Sequence, residues 1–198
     1  MDEIMNPEQA CQQPQPKKWL QILLYVHLVN IVIAVLNLVP GLSKVTTWLS
    51  EGMLLAVAFV LLKLTAVNVR YRKAAILRIV TLAGTVLALV TSKLAMVSSL
   101  ISLVASICGI ISTYQEYHAH AEVIEPLDQK LARKWRTLFV WSIVVGLLVG
   151  LAAAAGIAIS VIAGGNVAVE LVTALVGIPS VILLIAYLVY LKRMLKLL

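Results

Sequence analysis

The chain has 198 residues, of which 62% are hydrophobic and 13% charged, with a mean hydropathy of +1.01 and a formal net charge of +7. Soluble domains carry about a quarter charged residues, so this composition excludes an ordinary soluble enzyme or regulatory domain. Apolar runs longer than the roughly 18 residues that mark a spanning helix recur throughout and leave no length for a separate folded domain.

Residues 1–18 read as a disordered cytoplasmic tail, because "PEQACQQPQPKK" offers no apolar face to bury. The segment is acidic and Gln/Pro-rich and does not look like a cleavable signal. Cys11 falls in this tail and Cys108 in an apolar run, so no disulfide framework is implied. Residues 19–198 are expected to form one transmembrane domain, with spans at Trp19–Val39, Glu51–Val67, Ala75–Thr91, Ala95–Thr113, Leu138–Ala163 and Val167–Leu191. Only helices and closed barrels satisfy backbone polar groups in lipid, and runs this long are not the alternation of barrel strands. The predicted fold is all-α: a polytopic integral membrane protein whose six transmembrane helices form three hairpins.

The cations set the expected orientation. With the N-terminus in the cytoplasm, the inner segments hold Lys17 and Lys18, then Arg70, Arg72, Lys73 and Arg78, then Lys130, Arg133, Lys134 and Arg136, then Lys192, Arg193 and Lys196. Of the 16 Lys and Arg residues, only Lys44 and Lys93 fall outside, and Lys63 lies within a span. This alternation follows the positive-inside rule and places both termini in the cytoplasm. The basic excess therefore points to anionic lipids at the cytoplasmic face and not to nucleic acid. Short outer loops, and the lack of a glycosylation acceptor pattern at any asparagine, point to a bacterial plasma membrane.

In the first span, His27, Asn30, Ala34 and Asn37 follow spacings of three, four and three, which is one helix face. Polar groups facing lipid are costly, so this face should look into the bundle or a wet cavity. His27, Asn30 and Asn37 are thus substrate or pathway candidates, or else interhelical packing groups. Lys63 reads as a boundary lysine that snorkels to the surface. The fourth span places Ser98, Ser102, Ser106, Gly109 and Thr113 on a small-residue stripe, and the fifth carries Gly146 and Gly150 with Ala154. Such stripes let backbones approach, within the chain or in a homo-oligomer.

The stretch 114–137 is expected to be a helical elbow on the cytoplasmic side. "YQEYHAHAEVIEP" pairs His118 with Glu122 on one helix face and Glu116 with His120 on another. A metal site would start from His118 and Glu122, but histidines two residues apart diverge, so one ion would need donors from other segments. The other account is a solvated elbow: the helix ends before Pro126, Pro126 and Asp128 open the next one, and Leu127, Leu131, Trp135 and Leu138 lay that helix on the headgroups. Glu116, His118, His120, Glu122, Arg133, Lys134, Trp135 and Arg136 are the interaction candidates there. In the sixth span Gly177 and Pro179 predict a kink or a weakened hydrogen-bond ladder, a feature that lines the binding site in some transporters.

No nucleophile elbow, helical zinc motif, phosphate loop, voltage-sensor ladder or potassium filter is legible, and no cofactor is implied. The first functional expectation is a non-enzymatic scaffold or accessory subunit that docks a cytoplasmic protein partner on the elbow and basic termini. The second is a small-solute transporter or substrate-binding membrane subunit using His27, Asn30, Asn37, Gly177 and Pro179. In size and topology alone the chain is similar to the substrate-binding subunits of energy-coupling vitamin transporters, with no motif behind the likeness. The third is a membrane-embedded metalloenzyme built on the 116–122 cluster.

Overall fold

A computed structural model describes residues 16–36, 43–163 and 167–198. Among the described residues the fold is all-helical, with no strand. The helices are α1 (Pro16–Leu36), α2 (Ser43–Lys63), α3 (Val69–Val90), α4 (Ala95–Ile124), α5 (Gln129–Ala163) and α6 (Val167–Leu197), with a 3-10 turn at Leu64–Ala66. Among the described residues three stretches are long and apolar enough to cross a membrane: Trp48–Ala66, Val69–Val90 and Ala95–Ile124. Several expectations lie outside the described residues: the tail over 1–15, Asn37, and the side-chain surroundings of Ala34, Lys44, Gly150, Ala154 and Gly177.

Helix ends depart from the sequence reading in ways their caps explain. Pro16 opens α1, so Pro16–Lys18 form its first turn and not part of a tail; proline's fixed φ suits the first helical position. The basic run after Asn68 is likewise helical, because the Asn68 side chain accepts a hydrogen bond from the Arg70 amide at 2.8 Å and caps α3 early. Pro126 belongs to a turn, and Asp128 caps α5 by accepting from the Leu131 amide at 2.9 Å. Asp128→Ala should cost about 1 kcal/mol, measured by equilibrium unfolding of the full chain in micelles. α5 then runs unbroken for 35 residues, with Leu131, Trp135 and Leu138 buried. That stripe packs inside the protein, so no separate helix lies flat on headgroups. α6 continues through Pro179, which sits within it, half-buried.

The described residues fall into two compact units, one holding those up to Ala119 with Leu195–Leu198, the other His120–Met194. In the first unit α2 packs against both α1 and α3. Leu20, Leu23 and Ile33 of α1 and Val57, Ala58, Val60 and Leu61 of α2 are buried. Trp19 meets Phe59 edge-on at 6.0 Å, and the Lys63 ammonium sits 5.3 Å from the Phe59 ring centre. That contact, about 0.5–1 kcal/mol for an exposed cation, gives the snorkelling lysine a resting place.

α3 and α4 run antiparallel along a seam of small residues. The Ser98 hydroxyl donates to the Ala88 carbonyl at 2.9 Å, and Ser112 donates to the Ala74 carbonyl at 2.8 Å. Between them Ala105 faces Gly84, and Gly109 faces Thr81. Ser102 and Ser106, predicted for the same stripe, are exposed, and Ser106 bonds only the Ser102 carbonyl of its own helix. A strict spacing of four rotates about 40° per step around a helix of 3.6 residues per turn, so the serine row walks off the seam. Ser98, Ala105 and Ser112, seven apart, stay on it.

Gly84, not Gly109 or Gly146, marks the close approach. A Cβ on Gly84 would lie 2.8 Å from the Ala105 Cβ, whereas one on Gly109 meets Thr81 at an ordinary 3.6 Å and one on Gly146 meets nothing within 4 Å. Gly84→Ala should therefore destabilise by about 1–3 kcal/mol through overpacking. Gly146→Ala should be neutral or mildly stabilising, since alanine favours helix by up to about 1 kcal/mol over glycine. Unfolding both variants side by side tests the seam; equal effects would refute it.

Candidate functional site

Three polar constellations emerge among the described residues. On α1, His27 and Asn30 are half-buried, and His27 Nδ1 lies 2.9 Å from the Leu23 carbonyl on its own helix. On α2, which the sequence reading passed over, Glu51 has a carboxylate oxygen buried without a hydrogen-bond partner among the described residues. An open groove of about 390 Å³ lies elsewhere, between α3 and α4, lined by Val80, Gly84, Leu87, Leu100, Ile101 and Ala105. It is apolar throughout, and none of the polar candidates reaches it.

The second constellation sits between α3 and α4. Glu116 is wholly buried and accepts a short hydrogen bond from the Arg78 guanidinium, whose side chain is 15% exposed. Arg70 donates to the Gln115 side chain at 2.9 Å, about two turns nearer the start of α3. Arg78, counted from sequence among the inner-face cations, is the tenth residue of α3 and pairs with a buried carboxylate. A charge so placed needs its partner, because an unpaired ion away from water costs several kcal/mol.

The third belongs to the second unit. His120 is wholly buried, with Nε2 3.3 Å from the Tyr187 hydroxyl and its ring centre 4.6 Å from that of Trp135. Trp135 meets Tyr187 edge-on at 5.1 Å and Tyr190 at 5.9 Å. Edge-to-face geometry sets the positive ring edge against the negative face and adds about 0.5–1.5 kcal/mol per pair beyond burial. Around this core Arg136 bonds Glu125 at 2.7 Å, and Arg193 lies 3.5 Å from Asp128.

The 114–126 stretch is helical to Ile124 and then turns, and part of it is dry. Glu116 and His120 are buried, His118 Nδ1 lies 3.1 Å from the Tyr114 carbonyl, and Glu122 is half-buried. Among the described residues no three His, Cys, Asp or Glu side chains are placed to hold a metal ion. Glu116, His120 and Trp135, expected as docking groups, lie inside, while Arg133 and Lys134 are exposed. Sequence spacing grouped these residues along one helix, but their partners stand 38 and 67 positions away. No signal in a single sequence marks such pairs.

No known family model matches this chain, and no curated protein or solved structure is significantly similar to it. The geometry defines a class alone: the described residues are all-helical, and three helices among them are long and apolar enough to cross a membrane.

Proposed function

We propose that the chain is a non-enzymatic multi-pass membrane protein, a scaffold or accessory subunit with six spans in three hairpins, both termini cytoplasmic, and its interaction surface on the basic face. One observation carries this reading. The polar side chains that sequence offers for chemistry are engaged internally: Glu116 on Arg78, His120 beside Tyr187 and Trp135, and His118 on its own helix. What stays exposed is cationic and clustered near helix ends: Lys17 and Lys18, Arg72 and Lys73, Lys130, Arg133 and Lys134, Lys192 and Arg193. Such a surface suits anionic lipid and an acidic protein partner.

Photo-crosslinking in cells tests it. A crosslinker at Arg133 should give a discrete protein adduct, and one at the exposed apolar Leu103 only lipid; protein adducts of equal yield at both positions would refute the scaffold. A second reading, solute transport, draws on the half-burial of His27 and Asn30 on one face of α1. Under it Asn30→Leu abolishes solute uptake by the reconstituted chain while leaving its unfolding midpoint unchanged. Under the scaffold reading the same substitution is read in stability alone.

A further inference from the structure

The second unit carries cations arranged more specifically than a positive face requires. Lys130, Lys134, Thr137 and Trp141 follow spacings of four, three and four, so they share one stripe of α5. Tyr190 and Arg193, three apart, share one stripe of α6. The two stripes meet, because the Lys134 ammonium lies 5.9 Å from the Tyr190 ring centre. Lys130, Lys134 and Arg193 are all exposed. Asp128 engages Arg193 at 3.5 Å; among the described residues no ion pair is seen for Lys130 or Lys134, which add positive charge beside it.

The same stripe changes character at a sharp level. Beyond Arg136, α5 turns an exposed apolar surface outward at Val140, Trp141, Leu147 and Leu148, and α6 does so at Ile182, Ile185 and Val189, just before Lys192 and Arg193. Trp141 lies seven residues from Lys134, about 10 Å along the helix. The headgroup region is about 5–8 Å deep on each side of the hydrocarbon, and a lysine reaching toward the phosphates spans the remainder, so the exposed tryptophan sits at the boundary where its ring is favoured.

We infer that Lys130, Lys134 and Arg193, with Tyr190 between them and Trp141 below, form a binding site for the headgroup of an anionic phospholipid. The two lysines and the arginine hold the phosphate, and the acyl chains lie along Trp141 and the apolar face of α5. Resting on the membrane reading above, the site adds to it a fixed position and a preference for one lipid charge.

Trp141 reports on the site directly. The full chain and its Trp141→Phe variant are reconstituted into vesicles of zwitterionic phosphatidylcholine containing a brominated lipid, either phosphatidylglycerol or phosphatidylcholine. The difference between the two proteins isolates quenching of Trp141. The anionic brominated lipid is expected to associate at least roughly five- to tenfold more strongly than the zwitterionic one, the effect of about one near-surface cation. Lys130→Gln with Lys134→Gln and Arg193→Gln should reduce that ratio to about one, and Lys130→Arg with Lys134→Arg should keep it. Equal quenching by both lipids in the unsubstituted chain overturns the site and leaves the membrane reading intact, whereas no quenching by either overturns both. Loss of the preference on adding inorganic phosphate, but not chloride at matched ionic strength, would make this a site for soluble phosphate and overturn the lipid assignment.

Discussion

Arg78→Ala is expected to destabilise the chain by about 3–5 kcal/mol, far more than loss of a surface arginine. The substitution leaves Glu116 wholly buried with its compensating guanidinium gone. Stability then falls by the desolvation penalty of a buried carboxylate that has lost its cation, and not by the modest net worth of the pair. Glu116→Gln should be milder, since the amide oxygen still accepts from Arg78. The decisive comparison is Arg78→Met with Glu116→Leu, which removes both charges and keeps the volume. Replacing a buried pair by packed apolar groups is often neutral or stabilising by about 1–4 kcal/mol, so the double variant should recover most of the loss. Equilibrium unfolding in mixed micelles reads all three. A single Arg78→Ala loss under about 1 kcal/mol would show that Glu116 finds water or another donor and that the pair does not organise the α3–α4 seam.

Trp135→Ala should be comparably damaging, about 3–5 kcal/mol, for a different reason. The indole is wholly buried and touches His120, Tyr187 and Tyr190 together. Its removal opens a cavity ringed by rings too rigid to collapse into it. Trp135→Phe keeps an edge for the two tyrosines and should lose less than half as much. Near-ultraviolet circular dichroism offers a second readout, since the coupled aromatic signal should fade in Trp135→Ala while helix content holds. If the alanine variant unfolds at the same midpoint as the unsubstituted chain, the second unit draws its stability from its apolar residues alone.

Much of the architecture was legible because period and composition write it directly. The apolar runs of α2, α3 and α4 announce helices of membrane length, and Pro126 marks the break between α4 and α5 by restricting the residue before it. The ends were harder. Asn68 and Asp128 cap their helices with side-chain oxygens, and the caps pulled Arg70, Arg72 and Lys73 into α3, where the sequence suggested a loop. The seam was half legible: small residues signal close approach, but a row spaced by four and a row spaced by seven look alike until helical drift is followed. Glu116 and His120 were misread for a more basic reason. Polar residues near a span end are ordinarily wet, and only a partner brought in by the fold, Arg78 for one and Tyr187 for the other, makes their burial affordable.

The length of α4 carries one more consequence. At 1.5 Å per residue its 30 residues reach about 45 Å, against about 30 Å of hydrocarbon. Its first half turns Met96, Leu100, Leu103, Val104, Ile107 and Ile110 outward, while Ser112, Glu116, Ala119, His120, Ala121 and Ile124 are buried. On the proposed membrane reading the last three turns lie beyond the acyl chains, and they keep dry by protein packing. Burial against lipid gains nothing from the hydrophobic effect, because acyl tails are as apolar as leucine; burial against water does, and it carries a heat-capacity change. The two ends of one helix should accordingly answer to different solvents. Urea and cooling will loosen the 112–124 end first, while its lipid-facing turns will yield only when the bilayer itself is replaced.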